Sequence, residues 1–102
     1  MIDQDRIVEL ESEVGAEDLV SILATYFEEA AAMIRRIESG LQPDELPPAL
    51  HFLRSGALNL GLVGFAEMTG RMREIGQAAD GATLTEMLER TRVALASQSP
   101  VA

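Results

Sequence analysis

Leu46-Pro47-Pro48-Ala49-Leu50-His51-Phe52-Leu53-Arg54-Ser55-Gly56-Ala57-Leu58-Asn59-Leu60-Gly61 is the stretch on which the reading of this chain turns. At about 100° per residue, Leu46, Leu50, Leu53, Ala57 and Leu60 fall on one apolar stripe, the mark of a helix with one face in a core. Each proline biases its predecessor away from helix, so the helix is expected to start close to Pro47 or Pro48. It should continue to about Leu60, with Gly61 as its stop. His51 lies about 140° from the centre of the stripe, with Ser55 and Leu58 beside it and Arg54 at the near flank. The chain's single histidine is therefore expected to face solvent, with an arginine one turn along. A lone exposed histidine on a helix is ordinarily just a surface residue, so its surroundings carry the weight. Gly56 sits inside the helix, where it costs about 1 kcal/mol relative to alanine. Ser55, Gly56 and Ala57 are small and leave room for another protein to approach, and Leu58 is a large apolar side chain on the outward face, as suits a docking surface.

The flanking sequence is helical on both sides, without period-2 alternation or hairpin dipeptides. Upstream, Asp3 is a plausible N-cap for a short first helix, Ile2 and Ile7 are spaced as a hydrophobic staple, and Ile7, Leu10 and Val14 form its stripe up to Gly15. A second helix is expected from about Glu17 to Ser39, with Leu19, Leu23, Tyr26, Ala30, Met33 and Ile37 inward. Its acidic start and its Arg35-Arg36 end both suit the helix dipole, and Gly40 stops it. Downstream, a fourth helix from about Leu62 to Ala79 should carry Phe65, Met68, Met72 and Ile75 inward, with Gly81 beyond its end. A fifth is expected to open on the capping box Thr83-Leu84-Thr85-Glu86 and to bury Leu84, Leu88, Thr91 and Leu95. Short connections favour antiparallel neighbours. The expected architecture is all-α: an antiparallel up-down four-helix bundle with an additional short N-terminal helix capping one end. Residues 1–96 form one domain and 97–102 a frayed tail; the methionine start and polar tail suggest a stand-alone chain.

Composition narrows the function classes. The 102 residues suffice for one core, and the absence of cysteine removes disulfides, thiolate metal sites and cysteine nucleophiles. A net charge of −9 disfavours nucleic acid and anionic lipid as partners. No apolar run approaches membrane-spanning length and the N-terminus lacks a basic, then apolar, leader, so the expected location is the cytoplasm. A di-iron carboxylate site would need Glu-x-x-His on two helices; here the one histidine is preceded three positions earlier by Pro48. The acidic residues read as a solvated face, and the internal methionines as core filling. Gly64 and Gly70 read as aids to close helix packing. Arg71 and Arg73 are expected to be exposed, either as a positive rim near the site or as balance for Glu67 and Glu74.

The run His51-Phe52-Leu53-Arg54-Ser55-Gly56-Ala57-Leu58-Asn59-Leu60-Gly61 resembles the signature of histidine-containing phosphotransfer (HPt) domains. That signature is a histidine, leucine two positions on, lysine or arginine three on, small residues four and five on, and glycine ten on. The resemblance extends over nearly the whole chain, with the motif on the second helix of the bundle. Two departures are Arg54, where lysine is commonest, and the order Ser55-Gly56, the reverse of the commonest one.

The resemblance implies a phosphorelay carrier in two-component signal transduction. His51 would accept a phosphoryl group from a receiver-domain aspartate and pass it to another receiver, and Arg54 would compensate the phosphate charge. Ser55, Gly56, Leu58 and Leu62 would meet the partner, the receiver domain of a response regulator or hybrid histidine kinase. If the helix starts near Pro48, His51 falls in its first turn, where the dipole favours an attached anion. The chain has no nucleotide-binding glycine loop, so it is expected to be no enzyme by itself. It needs no cofactor or metal of its own, since Mg²⁺ would belong to the receiver. The apolar stripes are used up by one core, which suggests a monomer. The rival reading is a docking or regulatory module that binds receiver or kinase domains without carrying phosphate.

Overall fold

The computed structural model describes residues 1–75 and 81–98, with the backbone alone at 73–75 and 98. These residues form five helices and no strand: α1 Gln4–Val14, α2 Ala16–Glu38, α3 Leu46–Asn59, α4 Val63–Ile75 and α5 Gly81–Gln98. Helix α2 packs against α3 and α5, α4 packs against the same two, and α1 lies on α2. The molecule is elongated, 44 × 21 × 21 Å.

Local chemistry explains most boundaries. The Asp3 carboxylate accepts from the Arg6 backbone N–H at 3.2 Å and caps α1. Ile2 and Ile7 both pack on the core, as a staple would. Helix α3 starts at Leu46, so both prolines stand in its first turn, where no intrahelical donor is required. Between α3 and α4, Gly61 has φ +78, and a Cβ there would also meet the Asp3 carbonyl oxygen at 3.1 Å. The chain's first residues are bonded across this turn: Asp3 N–H donates to Gly61 O at 2.8 Å and Gly64 N–H to Met1 O at 3.0 Å. Arg6 Nε donates to Asn59 O at 2.8 Å, placing a cation at the C-terminus of α3, where the dipole favours one.

The core is formed by Leu10, Leu19, Tyr26, Ala30, Ile34, Ile37, Ala49, Leu50, Leu53, Ala57, Leu60, Leu62, Phe65, Ala66, Leu84 and Leu88. Two threonines, Thr69 and Thr91, are fully buried with them, and each hydroxyl donates to a carbonyl of its own helix, Ala66 O at 2.9 Å and Met87 O at 2.8 Å. Among the described residues no buried side-chain nitrogen or oxygen lacks a partner.

The structure departs from the sequence expectations in several places. In α2 the core position expected for Met33 belongs to Ile34, and Met33 is half-buried. In α4 the inward face is Phe65, Ala66 and Thr69, with Leu62 buried just before the helix, and it is rotated away from Met68 and Met72, which are half-buried. Large apolar side chains suggested the other face, but small residues let a neighbouring helix come closer. Val14, placed on the α1 stripe, is exposed. Helix α5 starts at Gly81, so Thr83 is inside the helix and is not its N-cap. The same helix runs through Ser97 to Gln98, into the stretch expected as tail. The expected end of the fourth helix at Ala79 and the residues beyond Gln98 lie outside the described residues, as do the side chains of Arg73, Glu74 and Ile75.

Candidate functional site

Helix α3 turns Ala49, Leu50, Leu53 and Ala57 into the core and leaves His51, Ser55 and Leu58 outward. His51 is exposed, one turn before Ser55 and two before Leu58, which is 45% exposed. Arg54 is half-buried. Its side chain leans onto α4, where a Cβ built on Gly70 would lie 3.3 Å from Arg54 Nε. Beside it, a cleft of about 480 Å³ between α3 and α4 is lined by Arg54, Leu58, Ala66, Glu67, Gly70 and Arg71, among others. This is the cleft that the outward face of α3 adjoins.

The electrostatics of this face differ from those of the rest of the chain. Seventeen acidic residues give a net charge of −9, yet Leu46–Asn59 contains no carboxylate, alone among the five helices. The ion pairs among the described residues engage Arg6 with Glu9, Arg36 with Glu45, Arg90 with Glu86 and Arg92 with Glu89. Arg54 and Arg71 belong to none of these pairs. A guanidinium in no ion pair among the described residues, one turn along the helix from an exposed imidazole, is suited to charge-assisted hydrogen bonds with an anion.

Two expected features of the site need correction. Leu62, expected to meet a partner, is 0% exposed. It follows the turn at Gly61 and closes the core there, so it offers no surface. His51 is the sixth residue of α3 and stands beyond its first turn. The field of a helix N-terminus fades within that turn, so the dipole is not a main source of compensation at this position.

Gly56 has a reason other than the approach of another protein. A Cβ at this position would lie 2.5 Å from Tyr26 Cε1, so the ring fills the space where a side chain would be. The Tyr26 hydroxyl then donates to Leu53 O at 2.6 Å, a buried bond that ties α2 to α3 one turn below Gly56. Burial pushes the Tyr26 phenol well above the usual tyrosine range. Gly56 also lines a shallow groove with Ile22, Tyr26 and Phe52 on the α2 side of α3. Sequence reading placed Tyr26 on the core stripe without asking where its hydroxyl bonds; that a buried tyrosine needs a partner was the available signal.

The two glycines of α4 separate in the same way. Gly64 makes room for Met1, whose Cγ would lie 3.0 Å from a Cβ there, and Gly70 makes room for Arg54. Among the described residues no group of three or more His, Cys, Asp or Glu is disposed to hold a metal ion, and no helix is long and apolar enough to cross a membrane. Comparisons with protein-family models, with curated proteins and with solved structures found no match for this chain.

Proposed function

We propose that this chain is a phosphorelay carrier of the HPt kind, in which His51 accepts a phosphoryl group from an aspartyl phosphate on a receiver domain and returns it to another. In this reading α2 to α5 form an antiparallel up-down four-helix bundle and α1 caps one end, which the pairwise packing of the four helices supports. The observation that carries the proposal is the placement of the exposed His51 on the one helix without a carboxylate, with Arg54, in no ion pair among the described residues, one turn along. An acidic phosphorylated partner meets no like charge from that helix, although the whole protein is strongly negative.

The step balances as a simple displacement. A lone pair on one ring nitrogen of neutral His51 forms the N–P bond as the P–O bond to the partner's aspartate breaks, and that electron pair leaves with the carboxylate. The other ring nitrogen releases its proton to solvent or keeps it. Arg54 holds the added phosphate charge. The divalent cation and the in-line electrophilic groups belong to the receiver, so the chain is a carrier and no kinase or phosphatase by itself. A carrier of this kind works in the cytoplasm as a monomer.

A second reading, a docking module that binds receivers without taking phosphate, is favoured by one observation, the exposed Leu58 at the wall of the α3–α4 cleft. Incubation with a panel of phosphorylated receiver domains decides between them. Acid-labile label on the wild type and none on His51→Gln, with unchanged thermal stability, is the outcome expected of the carrier. Binding to receivers with no label on the wild type would leave the docking reading and overturn the first.

A further inference from the structure

Gly70 has no structural explanation of the ordinary kind. It sits in the interior of α4, where glycine is less stable than alanine, and its φ is not in the left-handed region, so the backbone does not require it. Nor does the core: among the described residues, the atoms within 4 Å of a Cβ built there are Nε at 3.3 Å and Cδ at 3.6 Å of Arg54. Gly56, by contrast, faces the buried Tyr26 ring, and Gly64 faces the side chain and backbone of Met1. An arginine side chain is flexible, so an alanine at 70 would be accommodated by a small displacement of Arg54, at little cost to the fold. What it would change is where the guanidinium sits.

We propose that Gly70 is a positioning residue for Arg54: the bare backbone of α4 is the seat on which the arginine side chain rests, holding its charged end at the cleft between α3 and α4. Arg71 lines that cleft from the next position of α4 and is likewise in no ion pair among the described residues. The seat therefore brings two guanidiniums to one cleft beside the exposed face of α3. Its functional meaning rests on the carrier reading given above, since Arg54 is the residue assigned there to the phosphoryl charge.

The test opposes stability to transfer. As a helix-interior substitution away from the core, Gly70→Ala should raise the melting temperature. If Gly70 positions Arg54, the same variant should take the phosphoryl group from a phosphorylated receiver about three- to tenfold more slowly. Arg54→Ala should be slower still, and Gly70→Ala should have no further effect in that background. The Arg54 Nε–H resonance, identified by its loss in Arg54→Lys, should shift on Gly70→Ala in the free protein. An unshifted resonance overturns the seat whether or not the chain carries phosphate. A shifted resonance with wild-type transfer rate overturns its functional role. A wild-type chain that takes no label refutes the carrier reading, and with it that role, while the resonance still decides the contact.

Discussion

The two flanks of α3 use glycine for opposite purposes. On the α2 flank Gly56 admits the buried Tyr26 ring, whose hydroxyl is fastened to Leu53 O, and the space is filled. On the α4 flank Gly70 admits the side chain of Arg54, and a cleft of about 480 Å³ remains beside it. A side chain added on the first flank meets a ring that cannot move without breaking a buried hydrogen bond. One added on the second meets the mobile end of an arginine. The same residue type therefore protects stability on one side and, in the proposed reading, charge placement on the other. His51 is exposed on the helix that carries both arrangements, which packs against α2 on one flank and α4 on the other.

The largest effect should come from a pair of leucines at the α4 flank. Leu62→Ala removes a side chain that is 0% exposed and should destabilise the protein by about 2–5 kcal/mol in chemical denaturation. Leu58→Ala, at a residue 45% exposed, should stay within about 0.5 kcal/mol of wild type. Its effect, if Leu58 forms part of the docking face, belongs in the affinity for a receiver. Equal destabilisation of both would break the distinction between core and cleft wall.

On the α2 flank, Gly56→Ala places a Cβ 2.5 Å from Tyr26 Cε1 and should cost about 1–2 kcal/mol, the overpacking exceeding the gain in helix propensity. Its sign is opposite to that expected for Gly70→Ala. Stabilisation by both substitutions in parallel melts would erase the comparison.

At neutral pH Tyr26→Phe, which removes one buried hydrogen bond, should cost about 1 kcal/mol. Its pH dependence is more informative. Burial raises the phenol's pKa in the folded state, so the unfolded chain loses that proton first, near the ordinary tyrosine value of about 10. The stability this group contributes is fully present below about pH 10 and is lost as pH rises from there toward the folded value. The chain has no lysine and no cysteine, and Tyr26 is its only tyrosine. Few other groups therefore titrate in that range. Melting temperatures measured from neutral to strongly alkaline pH should fall in the wild type and fall less in Tyr26→Phe. Parallel curves would mean that the phenol is not held by burial as described.

Much of this molecule was legible before its structure, and the limit is a physical one. The cap at Asp3, the breaks at Gly15 and Gly61, the helix start near Pro47 and the outward phase of His51 follow from interactions within a few residues of each position. Backbone sterics, capping bonds and the 100° step per residue act locally, so a linear pattern contains them. Where two residues are nearly equivalent by phase, the pattern fails. Met33 and Ile34 lie about 50° on either side of the α2 stripe, and phase does not choose between them. Half-buried Phe27 and Ala31 stand on the Ile34 side, so the covering neighbours lie there and Ile34 is buried.

By itself, then, the sequence determined five helical segments, most of the core and an outward histidine with an arginine one turn along. Only the tertiary structure decided what each glycine faces, that Leu62 closes the core, that Thr69 belongs inside and that the Arg54 side chain lies on α4. Those outcomes depend on side chains brought together from distant parts of the chain, Tyr26 beneath Gly56 and Arg54 over Gly70. No periodicity within one helix encodes the surface of the helix beside it.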